Sequence, residues 1–297
     1  MGTASTSSSS TSVTLPSMVT VTKAKQIAVG KEVYEMTDSP RGLCVIFNNR
    51  HFPCVPDRDR PGSELDVQRM MMLFKEFKFM VFTHEDQTSQ QIMSLLDTYA
   101  NEKVLEGHQA FVLIMMSHGE VNHIYGNDYN LVKLQDIFEK FNNYNCPALR
   151  ERPKLFFIQS CRGGLSDNGV PGRDLIAEAV PGEDGTQSDA GPFKSQGYPG
   201  VSRTPSPRIS YWSDTYIAYA VVEGYESLRD LNSGSWFLKA VFDVMANDAH
   251  TEHLDTLMDR VSQRVLERVR RDGQRQCPEV KKIGWRKKLF FNPGLSQ

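Results

Sequence analysis

The sequence has few features of a membrane protein, a secreted disulfide scaffold or a nucleic-acid-binding protein. No apolar run approaches the about 18 residues that a membrane span needs. A formal net charge of −2 provides no overall basic field that would attract nucleic acid. The 5 cysteines are widely spaced and contain no Cys-x-x-Cys pair. We therefore expect no disulfide framework, no zinc or other metal site and no cofactor.

The amino terminus also has little that could form a folded core. Residues 1–21 are rich in Ser and Thr and have no basic and apolar blocks of a signal peptide, which favours a cytoplasmic, reducing setting. We predict that residues 1–38 form a short disordered segment and that order begins near Arg41. Gly2 fits a loose myristoylation pattern, for which a chance match is the favoured interpretation.

Apolar runs and helical periodicities alternate along the remaining chain. The predicted strands are 42–47, 79–83, 110–116, 154–159, 216–222 and 288–291. The predicted helices are 63–77, 88–99, 131–141, 235–245 and 254–265, with capping boxes at Ser63/Asp66 and Thr88/Gln91. Because the strands are apolar throughout, we predict an α/β three-layer sandwich with a central, mostly parallel six-stranded sheet and helices on both faces.

Two stretches interrupt this pattern. Residues 165–209 are dominated by Gly, Pro, Ser and Asp and have almost no periodicity. A structureless segment of that length is uncommon in a compact domain and tends to be functional or disordered. Residues 270–282 are polar and basic, and we predict a solvated loop there.

Reactive side chains follow two of the predicted strands. His118 comes after the third strand and Cys161 after the fourth, each with a glycine close behind. Either residue alone would more often be structural. Because parallel strands end at the same sheet edge, however, the pair favours acyl transfer by a thiol with an imidazole partner. The N–H groups of Gly119 and Cys161 could stabilise an oxyanion.

Several separated motifs then show a resemblance to a known family. Gln159 to Gly163 reads QSCRG, and SPRGLCVIFNN, RPGSELD, SHGE and GSWFLKAVF occur elsewhere in the chain. In this order they resemble the caspases over residues 39–293, similar in style to the nematode cell-death caspase and to initiator-type members.

The resemblance implies roles for individual residues. Cys161 would be the nucleophile, His118 the general base and acid, and the Gly119 and Cys161 amides the oxyanion hole. Caspases cleave after aspartate, which Arg60, Arg229 and Gln159 would bind, although the two arginines alone would be read as surface charges. The other implied substrate-binding residues are Ser227, Leu228, Asp230 and Trp236. Leu228 and Asp230 depart from the common Trp and Asn of the family, and we expect Asp230 to repel an acidic P4 side chain.

The resemblance also implies how the chain is organised. Residues 39–189 would form a large catalytic part, 165–209 a processing linker and 210–297 a small part. The candidate cleavage sites are Asp38, Asp184 and Asp189, with Asp174 a weaker one. We expect a homodimer with the strand at 289–291 near its interface.

The predicted function is an Asp-specific cysteine endopeptidase, made as a zymogen and acting in apoptosis or related signalling. Its partners would be protein substrates, an upstream caspase and caspase inhibitors, without nucleic acid or membrane. The alternative is a caspase-like regulator that binds or dimerises without catalysis.

Overall fold

The structure is a computed structural model that describes residues 20–170 and 209–295. Its strands are β1 (Gly42–Asn48), β2 (Phe79–Glu85), β3 (Ala110–Met116), β4 (Gly119–Glu120), β5 (His123–Tyr125), β6 (Leu131–Lys133), β7 (Lys154–Gln159), β8 (Thr215–Tyr219), β9 (Arg229–Asp230), β10 (Gly234–Ser235) and β11 (Glu279–Ile283). Six of these described strands form the central sheet in the order β11-β8-β7-β3-β1-β2. β11 alone runs antiparallel to its neighbour, and the predicted fold class is confirmed.

Helices cover both faces of the sheet, as predicted. They are α1 (Ser63–Glu76), α2 (Ser89–Tyr99), α3 (Glu102–Leu105), α4 (Leu134–Lys140), α5 (Trp236–Asp248) and α6 (Leu254–Leu266). Apolar side chains of α1, α5 and α6 pack in one core, and those of α2, α3 and α4 pack in a second core on the opposite face.

The central strands are apolar throughout because they contribute to both cores. In β1, Cys44 and Ile46 point into the first core, whereas Leu43, Val45 and Phe47 point into the second. Successive strand residues face opposite sides of a sheet, so a strand covered on both faces needs apolar side chains on both. Burying one such large side chain stabilises the fold by about 1.5–3 kcal/mol.

Both helices predicted from capping boxes begin within one residue of the predicted position, but only one of the two capping boxes forms. Thr88 and Gln91 form the reciprocal capping box of α2. At α1 the N-cap is Gly62, with φ of 89°, and no side chain caps the helix. Asp66 is instead completely buried and accepts the N–H of Ser235, with 2.8 Å between Oδ2 and N.

The helix predicted over residues 131–141 is shorter than expected. Leu131–Lys133 is β6, which pairs with β5 in a small three-stranded sheet, and α4 follows directly. Val132 is buried by this pairing. A short β-branched residue between two exposed neighbours fits a strand as well as a helix, so tertiary pairing decides.

The sixth strand is not where the sequence predicted it. Residues 288–291 form no strand apart from a single bridge at Lys288, although Leu289 and Phe291 are fully buried. The strand is β11, inside the stretch predicted as a solvated loop, and it lies at the sheet edge, paired only with β8 among the described residues. Charged residues such as Lys281 and Lys282 are tolerated there because an edge strand is open to solvent on one side.

Ordered structure begins earlier than predicted. Residues 20–38, which we call the N-terminal strap, pack against the carboxyl-terminal part of the chain instead of being disordered. The N–H of Thr22 donates to Ala246 O at 2.8 Å. The N–H of Tyr34 donates to Lys288 O and the N–H of Lys288 donates to Glu32 O, which makes a parallel β-bridge between Val33 and Lys288. Its buried residues are Val21, Ala24, Tyr34, Met36 and Thr37. The apolar residues among them are too few and too scattered to form a run or a sustained period of 2 or 3.6, so no pattern in the sequence marks them.

Some sequence predictions concern residues outside the described ranges. These are the Gly2 pattern, most of the linker, and the cleavage candidates Asp174, Asp184 and Asp189. Within residues 20–170 and 209–295, every helix is too short or too polar to cross a bilayer.

Candidate active site

His118 and Cys161 lie at the same edge of the sheet. β3 and β7 are parallel neighbours, and their last residues, Met116 and Gln159, are paired in register. Each reactive residue follows two positions later, and both side chains are half-buried. The structure therefore brings together the two residues that the sequence placed at equivalent strand ends.

The environment of His118 keeps its imidazole neutral. Its Nε2 lies 2.6 Å from the carbonyl oxygen of Arg58, and because a carbonyl only accepts, Nε2 carries the proton and Nδ1 has the free lone pair. The pKa of His118 is lowered to about 4, chiefly by burial and also by the positive charges of Arg60 and Arg229, whereas the bond to Arg58 acts in the opposite direction. At neutral pH the ring can therefore accept a proton at Nδ1.

The thiol of Cys161 contacts a residue from the carboxyl-terminal part of the chain. Its Sγ lies 3.7 Å from Ser227 Oγ and 4.0 Å from Ser227 O. The backbone beyond Cys161 also pairs with this region, since Arg162 and Leu165 exchange hydrogen bonds with Gly224 and its neighbours. The candidate nucleophile is thus held between the two halves of the sequence.

Gly119 packs directly against the backbone that carries the thiol. A Cβ at this position would lie 2.8 Å from Cys161 O, His123 O and Ser160 Cβ, closer than any side chain tolerates. The absence of a side chain therefore lets the chain after His118 approach the chain at Cys161. This close approach brings together the two backbone segments predicted to supply oxyanion donors.

Arg60 and Arg229 form a cationic cluster beside these residues. Arg60 is buried, and its Nη1 donates to Asn49 O at 2.8 Å. Arg229 donates to the carbonyl oxygen of Pro61, next to Arg60. Burial, and then the charge of Arg229, lowers the pKa of Arg60 to about 9, and burial also lowers the pKa of Arg229. Both guanidiniums remain charged at neutral pH but have lost much of their hydration.

Gln159 contributes an amide to the same region. Its Nε2 donates to Ser227 Oγ at 3.2 Å, and its buried Oε1 has no hydrogen-bond partner within the described residues. An amide oxygen only accepts, so the partner of Oε1 must be a donor such as a peptide N–H or water, and the group that Gln159 offers to a carboxylate is Nε2.

The remaining predicted substrate-binding residues lie just before, on and just after the β9–β10 hairpin. Leu228 is buried and donates its N–H to the Gln276 side chain, while its carbonyl accepts the N–H of Trp236. The guanidinium of Arg268 lies 4.4 Å above the ring of Trp236. Asp230 is exposed, and hydrogen bonds from the N–H groups of Asn232 and Ser233 lower the pKa of its carboxyl.

Arg162, the residue next to Cys161, lies outside the cationic cluster. It is fully buried, pairs with Glu223 and Glu279, and stacks 4.0 Å from the centre of the Tyr219 ring. The residues that sequence reasoning missed are Asp66 and Phe52. Asp66 was interpreted as a helix cap, and its position in RPGSELD was the only available signal. Phe52 packs its ring 5.0 Å from that of His118, and no sequence pattern marks it.

The chain is similar to a known protein family over most of its length. The profile of the Caspase domain family matches residues 41–290. Among solved structures, the crystal structure of caspase-1 from Spodoptera frugiperda superposes with a TM-score of 0.74 at 24% identity, and covers 93% of this chain and 98% of that chain. At that identity the structural likeness shows the fold alone.

Curated relatives are similar over most of this chain. Caspase-2 of Gallus gallus is 30% identical over 79% of this chain and 53% of its own length. Human caspase-9 is 32% identical over 87% of this chain and 63% of its own. Cell death protein 3 of Caenorhabditis remanei is 32% identical over 79% and 46%. The chain spans about half the length of the curated relatives it matches.

Proposed function

Because this chain belongs to the caspase family, we propose that it is a cysteine endopeptidase that cleaves polypeptides after aspartate. The observation that carries the proposal is the pair of desolvated guanidiniums, Arg60 and Arg229, beside Cys161. Two planar forks bind one carboxylate through charge-assisted hydrogen bonds, which a lysine cannot reproduce. The Nε2 of Gln159, a donor 3.2 Å from Ser227 Oγ, lies in the same region. A neutral P1 side chain would leave these donors unpaired and would be rejected.

The proposed reaction is acyl transfer through a thioester. The thiol of Cys161 gives its proton to Nδ1 of His118, and its sulfur attacks the backbone carbonyl carbon of the P1 aspartate. The N–H groups of Gly119 and Cys161 stabilise the oxyanion of the tetrahedral intermediate. Protonated His118 then gives its proton to the leaving amine, and the peptide bond breaks. Water, activated by the same imidazole, hydrolyses the thioester and releases the new carboxyl terminus.

The contacts between the two halves of the chain support zymogen processing at the linker. Leu165 and Glu226 are hydrogen-bonded, and at the other end Asn143 holds Ser210 and Tyr211. The described residues at both ends of the linker are therefore held by contacts with the rest of the chain. We propose that cleavage at Asp189, Asp184 or Asp174 separates a large part (39–189) from a small part (210–297).

Asp38 is a less accessible cleavage site in this fold. Its side chain is exposed, but its N–H and that of Thr37 donate to Gln109 Oε1 at 3.0 and 2.8 Å. Met36 and Thr37 are buried. A protease binds an extended substrate, so cleavage after Asp38 requires this part of the N-terminal strap to unpack first.

We propose a homodimer formed through the edge strand β11. Its outer side has no strand partner among the described residues, and an open edge can pair with a second copy. Leu289 and Phe291, which the sequence placed at the interface, are completely buried within the chain and are not available for it. Protein substrates, an upstream caspase, caspase inhibitors and a role in apoptosis belong to the same proposal.

The test is a proteome-derived peptide library incubated with the purified protein, with cleavage sites identified by mass spectrometry. We expect aspartate at P1 in nearly all products. An uncut library, with the protein itself also intact, would support the alternative of a non-catalytic regulator. Cleavage without an aspartate preference would contradict the role of the two arginines.

A separate prediction concerns the P4 position. Asp230 is exposed on the hairpin after Arg229, and its charge is only partly offset by Arg268. Asp230→Asn keeps the oxygen that accepts the Asn232 and Ser233 N–H groups, so the turn should be retained. We expect kcat/KM for a peptide with acidic P4 to rise about fivefold, because an exposed like-charge contact costs up to about 1 kcal/mol.

The matched measurement uses peptides that differ only at P4, Asp against Leu. The rate with Leu should be the same for both proteins. A strong preference of the unmodified protein for Asp at P4 would contradict the prediction.

A further inference from the structure

Asp66 is a buried carboxylate that the proposed reaction does not use. It lies on α1 with no exposed surface. Oδ2 accepts the N–H of Ser235 at 2.8 Å, and Oδ1 lies 3.5 Å from Nη1 of Arg69. The same Nη1 donates to Ser233 O at 2.7 Å. Asp66 and Arg69 together therefore hold both sides of the turn that leads into β10.

The turn fits against α1 without spare room. Gly234 has φ of 79°, and a Cβ there would overlap Asp66 Oδ1 and lie 2.8 Å from Nη1 of Arg69. At the start of α1, a Cβ on Gly62 would lie 2.8 Å from Leu231 O. Glycines at both points allow the β9–β10 hairpin to contact the helix directly. The side chains of Asp66 and Arg69 are thus in direct contact with the hairpin.

The hairpin carries a residue that we assign to substrate binding. Ser235, the residue that Asp66 holds, is the cross-strand partner of Arg229. Arg229 in turn donates to Pro61 O, two residues before Ser63, where α1 begins. Asp66 therefore positions the backbone of Arg229 by holding Ser235, its cross-strand partner. The loop that leads into α1 positions the guanidinium of Arg229.

Asp66 also supplies a negative charge near the two guanidiniums. Its carboxylate raises the pKa of Arg60 and of Arg229, against the larger lowering caused by burial. Two desolvated positive charges repel each other. A buried counter-charge behind them reduces that repulsion before a substrate is bound.

We propose that Asp66 is a positioning residue for the substrate aspartate: through Ser235 and Arg69 it holds the β9–β10 hairpin so that Arg229 lies beside Arg60. The inference rests on the proposed function for the identity of the ligand, an aspartate side chain. It does not require catalysis, since it concerns only binding.

The hold of Asp66 on the β9–β10 hairpin should depend on pH, in a range where the other acidic and basic groups of the site do not titrate. Burial raises the pKa of Asp66 to about 6, while the N–H of Ser235 and the charges of Arg69 and Arg60 act to lower it. The charged groups that face it are Arg69 on α1, Arg60 before α1 and Arg229 on β9, with Glu64 also near Arg229. Asp66 is charged above about pH 6 and neutral below it. His118 and a substrate aspartate titrate nearer pH 4.

The experiment measures binding of a fluorescent tetrapeptide with a carboxyl-terminal aspartate. All proteins carry Cys161→Ala, so that cleavage does not affect the result, and the dissociation constant is measured from pH 5 to pH 8. With Asp66 present, we expect binding to weaken as the pH falls through about 6. Asp66→Asn, which keeps the size and the acceptor, should bind at least about tenfold more weakly at pH 7.5 and lose the inflection near pH 6.

Two further variants make the result decisive. Glu76→Gln, an acid-to-amide change at the other end of α1, should bind like the parent protein. Arg69→Met should weaken binding as Asp66→Asn does, and the double variant should be no weaker than either single one. If Asp66→Asn fails to fold, the inference is tested by the dissociation constant of Arg69→Met and by the pH dependence of peptide binding in the parent protein.

An affinity of Asp66→Asn within about twofold of the parent, or an inflection near pH 6 that persists without the carboxylate, would overturn the inference. Failure of the proposed function would give a different pattern. Aspartate binding would still depend on Asp66 and pH, while the protein with Cys161 intact would cleave no peptide.

Discussion

Cys161→Ala should lower kcat/KM for aspartate peptides by about 10⁶-fold, the scale expected when a nucleophile and its base act as one unit. Alanine removes the sulfur that forms the thioester and leaves the two arginines and the Ser227 contact region in place. Peptide binding should therefore persist while turnover disappears.

The same substitution should abolish self-processing. Mass spectrometry of the purified protein should show fragments that end in aspartate within residues 165–209, and an intact chain of 33.6 kDa for Cys161→Ala. Cys54→Ala is the matched control, because Cys54 is an exposed free thiol on the neighbouring loop. If Cys161→Ala retained turnover, or if Cys54→Ala lost it, the assignment of the nucleophile would be wrong.

Arg60→Met should reduce kcat/KM for aspartate peptides by about a thousandfold. Truncating one partner of a buried charge pair costs about 2–5 kcal/mol, because the remaining carboxylate is left partly unpaired. Arg60 is 4% exposed and donates hydrogen bonds to Asn48 Oδ1 and Asn49 O. Little water can therefore take the place of its guanidinium. Arg60→Lys should recover only part of the loss, since an ammonium cannot form the bidentate contact.

The informative measurement is the ratio of rates for peptides with Asp and Asn at P1. It should fall toward one in Arg60→Met and stay unchanged in Arg264→Met, which alters a half-exposed arginine on α6. A large loss of rate with an unchanged Asp-to-Asn ratio would show that Arg60 supports the fold and does not select the substrate.

The sequence was most informative where a pattern repeats or where two motifs lie at equivalent places. Apolar runs predicted the central sheet, and the capping box of Thr88 and Gln91 predicted the start of α2, because each depends on neighbouring residues alone. The meeting of His118 and Cys161 followed from parallel strands ending at one edge. The proximity of Arg60 and Arg229 could be expected only from the family resemblance, since they lie far apart in the chain.

The failures share a physical origin in contacts between distant residues. β11 is polar and basic, and becomes a strand only because β8 offers it an unpaired edge. Tyr34 and Met36 are isolated apolar residues whose burial depends on residues more than 200 positions later. Asp66 looks like a helix cap in sequence, and its hydrogen bond to Ser235 spans 169 positions. No local pattern encodes such contacts.

The N-terminal strap has a consequence for assembly from separate polypeptides. It lies at residues 20–38, yet its backbone N–H groups donate to Ala246, Asn292 and Pro293 in the carboxyl-terminal part of the chain. Conversely, the carbonyl oxygens of Phe291 and Leu295 bind the guanidinium of Arg41. A terminal segment of each half thus packs against the other half. The two halves also pair along β7 and β8, which are neighbouring strands of the sheet. Two separately encoded chains, divided between residues 170 and 209, would retain every one of these contacts when they associate.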